Sequence, residues 1–304
     1  MTPYRELTDA QAQSFLDNGY LLVTDCLAQD VAQRWIANAY TRLNYSPSDP
    51  STWVKDIVWM DHNEQMPVAQ LAPRAWNAIL DVVGGVERLE PTVLEKGQGH
   101  FSSINSFNWS DAFIVNFNRG ADRPWQPPSA ASPGWHVDGA YFRHFLDSRE
   151  QALLTIVLWS DMRHQGGGTF IAPDSVRVVA RFLAAHPEGV PPNEFPYADL
   201  VGQCARFEEV TGRAGDFLIL HPFMLHASSQ NVLGLPRFMS NPPIVLKEHL
   251  NFNRDNPEDF SLLERATLRY LGRERLDFRP THARQAALWT AATRPAQPGA
   301  DQAY

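Results

Sequence analysis

The chain is 304 residues long, 44% apolar and 20% charged, with 18 Gly and 23 Pro, a composition that excludes disorder over most of its length and any collagenous or low-complexity architecture. Its formal net charge of −8 offers no electrostatic footprint for a phosphate backbone, so nucleic acid is excluded as a bulk partner. Cys26 and Cys204 suggest neither a disulfide framework nor a zinc knot, and no leader or long apolar run stands out, so a cytoplasmic protein without a membrane partner is expected.

Thr8 and Gln11 have the spacing of a capping box, which predicts a short helix stopping at Gly19, followed by the strand Tyr20-Leu21-Leu22-Val23. Apolar residues at helical spacing predict a second helix from about Asp30 to Leu43 and a third carrying Trp76, Ile79, Leu80 and Val83. The stretches between these helices and around 97–110 read as irregular and aromatic, with Trp53, Trp59, Phe101, Phe107 and Trp109. From Asp111 the period changes to two. Phe113, Val115 and Phe117 alternate with Ile114, Asn116 and Asn118, giving a strand whose second, partly polar face suits a lined cavity.

Strand-like runs then recur at Gly134–Gly139, Leu153–Trp159, Gly168–Ala172, Arg206–Val210, Asp216–Leu220, Met224–Ser228 and Arg237–Leu246. One helix interrupts them, capped by Asp174 or Ser175 and carrying Val176, Val179, Phe182 and Leu183. A last helix runs from about Glu258 to Tyr270 and stops at Gly272, and the final dozen residues read as frayed. The seven arginines from Arg254 to Arg284 interleave with six acids, which makes a salt-bridged helical surface rather than a basic patch. The expected fold is mostly β with flanking α-helices, a jelly roll forming one domain over 1–304. Its β core falls at about 111–246, with a helical and aromatic substrate-side region at about 7–110 and a C-terminal helix at about 257–290.

In strand geometry residues i and i+2 project to one face, so His136 and Asp138 in Gly134-Trp135-His136-Val137-Asp138-Gly139 can share an ion. The run from Gly215 to Asn231 opens on a turn, continues as an apolar strand and ends in histidines. His221 and His226, on either side of Pro222, compete for the place of a third ligand. Arg237 follows within strand reach of the same cavity. Two His and one carboxylate form the facial triad that holds non-haem Fe(II) and leaves cis positions for a bidentate 2-oxoacid and dioxygen; the planar fork of an Arg suits the remote carboxylate of that acid. No GxSxG or GxxxxGK occurs, and Gly97-Gln98-Gly99 lacks the third glycine of a dinucleotide loop, so serine-hydrolase and nucleotide-binding readings fail.

Four segments occur in family order: Leu7-Thr8-Asp9 to Asn18-Gly19-Tyr20, His136 to Asp138, Gly166-Gly167-Gly168-Thr169 to Pro173-Asp174-Ser175, and Gly215 to Arg237. With them the chain resembles the phytanoyl-CoA dioxygenase family of Fe(II)/2-oxoglutarate-dependent oxygenases. The resemblance implies a double-stranded β-helix of cupin type. In such proteins the distal ligand is the His two residues before a Ser, with the 2-oxoglutarate Arg eleven beyond it, which maps onto His226, Ser228 and Arg237. The implied iron ligands are His136, Asp138 and His226, and His221 becomes a core residue. Asn118 resembles an Asn that contacts 2-oxoglutarate in some members, with a plain strand-end Asn as its alternative. Thr169 and Trp159 read as cavity liners on the co-substrate side, although a Trp on such a strand also suits plain packing. Tyr141, Arg143 and His144, just past the HxD, are candidates for the substrate, the last two for an anionic group or for a solvated loop.

The activity implied is hydroxylation of a small-molecule metabolite, with 2-oxoglutarate converted to succinate and carbon dioxide; desaturation or ring formation stays open on the same centre. Halogenation is disfavoured, because related halogenases carry Gly or Ala where Asp138 stands. Two other classes compete: a catalytically idle jelly roll that binds a small ligand, and a cupin-type metal isomerase or dioxygenase with no use for Arg237. The chain departs from the family pattern at Pro173-Asp174-Ser175-Val176 and in a Pro-rich insert, Arg123 to Pro133. Nothing in the sequence specifies an oligomeric state.

Overall fold

Short apolar runs separated by Gly, Pro and Asn turns leave the chain little choice but antiparallel pairing. The computed structural model describes residues 4–96 and 101–284, without the side chains of 93–96 and 101–104. In chain order, α1 (Asp9–Asn18), β1 (Tyr20–Val23) and α2 (Gln29–Leu43) come first, then β2 (Ile57–Trp59), β3 (Gln65–Pro67), α3 (Val68–Leu71) and α4 (Pro73–Val83). A hairpin of β4 (Thr92–Lys96) and β5 (Phe101–Asn105) leads to β6 (Asn108–Ser110), β7 (Ile114–Asn116) and β8 (Leu154–Leu158). The rest is β9 (Thr169–Ala172), α5 (Ser175–Ala185), α6 (Tyr197–Val201), β10 (Glu208–Val210), β11 (Phe217–Leu220), β12 (Leu225–Ser228), β13 (Arg237–Ser240) and α7 (Leu262–Leu271).

The larger sheet has the order β1-β11-β8-β13-β7-β2, the smaller β10-β9-β12, and every pairing is antiparallel. From β7 onward the chain passes back and forth between the two sheets, which is the winding of a jelly roll. β8, β9, β11 and β13 are buried along their whole length, so they lack the in-out alternation of a sheet with one wet face. The helices close the outside of this core: α7 packs on α1, α4 and α5, and its Glu264, fully buried, takes Arg88 at 2.8 Å and Arg254 at 3.2 Å. No helix among the described residues is long and apolar enough to cross a membrane.

Helix ends follow their caps. Thr8 and Gln11 form the reciprocal capping box of α1, and Gly19 at φ 74° ends it. The helix expected from Glu258 starts at Leu262, because Ser261 and Glu264 make a second capping box while Pro257–Asp259 form a separate 3-10 turn. It ends at Gly272, φ 68°, so the chain from 273 to 284 is not helical; the remainder of the expected helix and the final dozen residues lie outside the described residues, as does Gly97-Gln98-Gly99. Asp174 sits at the N-cap of α5 without capping it. Its carboxylate instead accepts the N–H groups of Ala205 (2.7 Å) and Arg206 (3.2 Å), tying the loop before β10 to the helix.

Two expected strands are shorter in the structure. Arg237–Leu246 stops at Ser240, because Pro242 and Pro243 have no N–H for a ladder, and single bridges Leu153↔Ile244 and Leu89↔Leu246 replace it. Gly134–Gly139 reduces to one bridge, His136↔His226, which adds a fourth rung beside β12 of the smaller sheet. The N-terminal aromatic stretch, read as irregular, supplies β2 as an edge strand beside β7, just as β1 forms the opposite edge.

Candidate metal centre and its cavity

His226 stands on β12, whose partner β9 fixes its register at His226↔Ile171. His136 is brought to it by the bridge, in which each N–H donates to the other's carbonyl at 3.0 Å. Residues paired this way present side chains on the same face, and the two imidazole centroids are 4.2 Å apart. Asp138, two residues on, places Oδ1 3.6 Å from His136 Nε2 and 3.5 Å from His226 Nε2. Among the described residues this is the one group of three or more His, Cys, Asp or Glu able to hold a metal, with its ligand atoms all within 4.8 Å of one another.

The tautomers are set by the backbone. His136 Nδ1 lies 2.7 Å from Gly134 O and His226 Nδ1 3.2 Å from Met224 O, so both Nδ1–H groups donate to carbonyls and both Nε2 lone pairs converge on Asp138. Burial and the neighbouring His226 push the His136 imidazole down from its ordinary value, which keeps its lone pair available. Lone pairs and a carboxylate facing one another without a proton between them call for a cation, and two nitrogens with one oxygen suit non-haem Fe(II).

His221, the rival for the third place, is fully buried away from this cluster. Its Nδ1 accepts Phe223 N–H at 3.2 Å, Nε2 lies 3.0 Å from Thr267 Oγ1 on α7, and burial pushes its pKa down to about 3.

The triad lies in the wall of a cavity of about 450 Å³ between the two sheets, reached by Ile114 of β7, Ile156 of β8, Thr169 of β9 and Met239 of β13. Arg237 opens β13 and lines the same cavity while only 2% exposed. Its Nε donates to Gly167 O at 2.7 Å and its Nη1 to Ile114 O at 3.1 Å, two neutral acceptors that fix the fork's orientation without neutralising it. No carboxylate pairs with it, and Nη2 has no partner, among the described residues. Burial, reinforced by Arg119, pushes the guanidinium down to about 9, the mark of a buried cation lacking its counter-charge.

Ser228 and Thr169, opposite each other in the β12–β9 register, line the cavity with Arg237, and so does Tyr141. The other sequence candidates lie elsewhere. Trp159 is buried in the core, its ring 5.1 Å from Trp35 and its Nε1 on Ser240 Oγ at 2.9 Å. Asn118 lies past the end of β7, off the cavity wall, where the chain already turns toward Gly120. Arg143 turns its guanidinium to Gly189 O at 2.9 Å, and His144 is buried against Phe142 and Phe195, its pKa pushed down to about 4 by burial.

Three polar residues in or beside the site were not singled out in the sequence. Asn116, not Asn118, is the fully buried Asn that pairs with Arg237 across β7 and β13; its side chain takes Arg119 N–H and donates to Ser229 O. Asn241 donates to Asp138 Oδ2 at 3.4 Å, and Gln151 lines the cavity beyond it. The period-two alternation puts Asn116 and Asn118 on one face without choosing between them, and the other two had no signal. The Pro-rich insert is anchored to the smaller sheet: Trp125 Nε1 donates to Ser229 Oγ at 3.1 Å, its ring packs on Phe170, and Trp135 Nε1 returns to Ser129 O at 2.9 Å.

The family model described as phytanoyl-CoA dioxygenase (PhyH) matches residues 15–238. No curated protein matches the sequence. Among solved structures the chain is similar to EctD from S. alaskensis with bound Fe, at 18% identity over 79% of this chain and 76% of that one, TM-score 0.44. It is similar to AviO1 from Streptomyces viridochromogenes Tue57 at 17% identity over 79% and 94% of the two chains, TM-score 0.43. The epimerase SnoN in complex with Fe3+, alpha ketoglutarate and nogalamycin RO matches at 16% identity over 78% and 82%, TM-score 0.44.

Proposed function

Because the chain belongs to the phytanoyl-CoA dioxygenase family, we propose that it is an oxygenase that uses iron(II), 2-oxoglutarate and dioxygen to oxidise an unactivated C–H bond of a small molecule, with hydroxylation as the default outcome. His136, Asp138 and His226 hold the iron, and Asn241 steadies the carboxylate of Asp138. Iron(II) with its co-substrates supplies the oxidising chemistry, 2-oxoglutarate leaving as succinate and carbon dioxide. Arg237 receives the remote carboxylate of 2-oxoglutarate, with Thr169 and Ser228 beside it, while the apolar walls keep water from the reacting end.

The observation that carries this reading is the pairing of a His-Asp-His cluster with a buried guanidinium that has no acidic partner among the described residues, in one cavity. A buried charge left without a counter-ion is costly, so the site is completed by an anion, and a dicarboxylate with a chelating 2-oxo group completes both ends at once. The purified protein should convert 2-oxoglutarate to succinate only with Fe(II), at a basal rate without substrate. Metal binding without 2-oxoglutarate binding would favour the cupin-type reading that has no use for Arg237, and absence of both would favour an idle jelly roll.

A further inference from the structure

On the assignment of this site to iron and 2-oxoglutarate, the rest of the cavity decides the third reactant. Among the described residues, the ionisable side chains that could carry charge toward it are His136, Asp138 and His226 at the metal end and Arg237 at the co-substrate end. Among the described residues no second cation lines the wall. Arg143, the cation expected for an anionic substrate, is held on Gly189 O outside it, and His144 is enclosed by Phe142 and Phe195. A carboxylate or phosphate entering there would lose its hydration beside Asp138 with no counter-charge, in a chain of net charge −8.

The neutral polar groups point the same way. Gln151 Nε2 donates to Leu153 O at 2.8 Å and Asn241 Nδ2 to Asp138 Oδ2 at 3.4 Å, so one N–H of each amide is committed to the protein; their oxygens have no partner among the described residues. The Tyr141 hydroxyl donates to Glu150 O at 3.2 Å. What complements the unpartnered Gln151 oxygen is an O–H or N–H. The walls around them are stiff and flat: Trp59, Tyr197, Pro192, Pro242 and Pro243. In a cavity of about 450 Å³ a co-substrate of about ten heavy atoms leaves room for roughly ten to fifteen more at interior packing density.

We propose that the substrate is an uncharged, mainly apolar ring compound carrying a hydroxyl group that donates to Gln151, rather than a carboxylate or an acyl-coenzyme A thioester.

The test uses the whole chain loaded with Mn(II) and 2-oxoglutarate, so that nothing turns over, and measures four probes by calorimetry: 2-naphthol, 2-methoxynaphthalene, 2-naphthoate and 2-naphthoyl-coenzyme A. 2-Naphthol should bind about five- to tenfold more tightly than the methyl ether, which cannot donate. It should bind at least about thirtyfold more tightly than either anionic probe. Gln151→Leu should remove the preference over the ether while leaving the ether's own affinity in place. 2-Oxoglutarate affinity is measured first in the same sample. If it binds and an anionic probe then equals or exceeds 2-naphthol, or 2-naphthol does not bind, the substrate proposal falls while the reading of the site stands. If 2-oxoglutarate itself does not bind, the reading falls and takes the proposal with it.

Discussion

His136 and His226 exchange both of their backbone hydrogen bonds, each at 3.0 Å, in a single bridge between β12 and a loop that forms no strand of its own. The metal cluster thus rests on one rung between a loop and β12, and the rung sets which histidine faces Asp138. Replacing His226 by Ala should lower Fe(II) affinity at least 100-fold in an anaerobic metal titration, since one of three ligands is lost. His221→Ala should keep metal affinity within a few-fold while lowering stability, because His221 holds Thr267 and Phe223 rather than the cluster. Loss of metal by His221→Ala instead would reverse the assignment of the third ligand.

Arg237 tests the co-substrate. Its Nε and Nη1 are committed to Gly167 O and Ile114 O, which leaves Nη2 for a ligand. Arg237→Ala should weaken 2-oxoglutarate by roughly 2 to 5 kcal/mol, a factor of about 30 to several thousand, with Fe(II) affinity preserved. Lys, a point charge without the fork, should restore only part of the loss. Unchanged 2-oxoglutarate binding in Arg237→Ala would remove the co-substrate from this end of the cavity.

Acid should destabilise the fold through its buried histidines. Burial pushes His221 down to about 3 and His144 to about 4, whereas both titrate near 6.5 once unfolded. Between those values the unfolded chain binds more protons than the folded one, so stability rises with pH and is fully present only above about 6.5. Going from pH 6.5 to pH 5, each histidine should cost the folded state about 2 kcal/mol. Urea unfolding across that range should show a shallower pH slope for His221→Asn, which retains an acceptor for Phe223 N–H. Equal slopes for variant and parent would mean that His221 is protonated in the folded state.

Local rules made much of this legible. Thr8 with Gln11 and Gly19 bracket α1, and runs of mostly apolar residues mark β8 and β11, because a cap or a buried strand is decided by its own few residues. The i, i+2 spacing of His136 and Asp138 was readable for the same reason, although the strand assumed to carry it is one bridge. What stayed hidden depends on partners distant in sequence. Asn116 outranks Asn118 only because Arg237 pairs with it across β7 and β13, and Arg143 leaves the substrate side only because Gly189 O is within its reach. β2 is a strand because β7 has an open edge, which its own three residues do not reveal.

Gly167 ties the backbone of one sheet to the chemistry of the other. It has φ +76°, and a Cβ there would lie 2.6 Å from Asn116 Nδ2 and 2.8 Å from Asn231 Cβ. Neither neighbour can yield without loss. Asn231 Nδ2 bonds Asn116 O, Phe117 O and Leu235 O at 2.9, 3.1 and 2.9 Å, pinning the turn after β12 to the end of β7. The relief left to Gly167→Ala is movement of its own peptide, and that peptide's carbonyl orients Arg237 through Nε at 2.7 Å. The variant should therefore lose about 2 kcal/mol or more of stability, and 2-oxoglutarate should bind about tenfold or more weakly, while Fe(II) affinity at the separate His-Asp-His cluster is retained. Gly234→Ala is the control. It has φ +65° with nothing within 4 Å of the added Cβ, so it carries the left-handed backbone cost of about 1 to 2 kcal/mol without displacing any neighbour. If the two variants bind 2-oxoglutarate equally well, the Gly167 carbonyl does not set the position of Arg237.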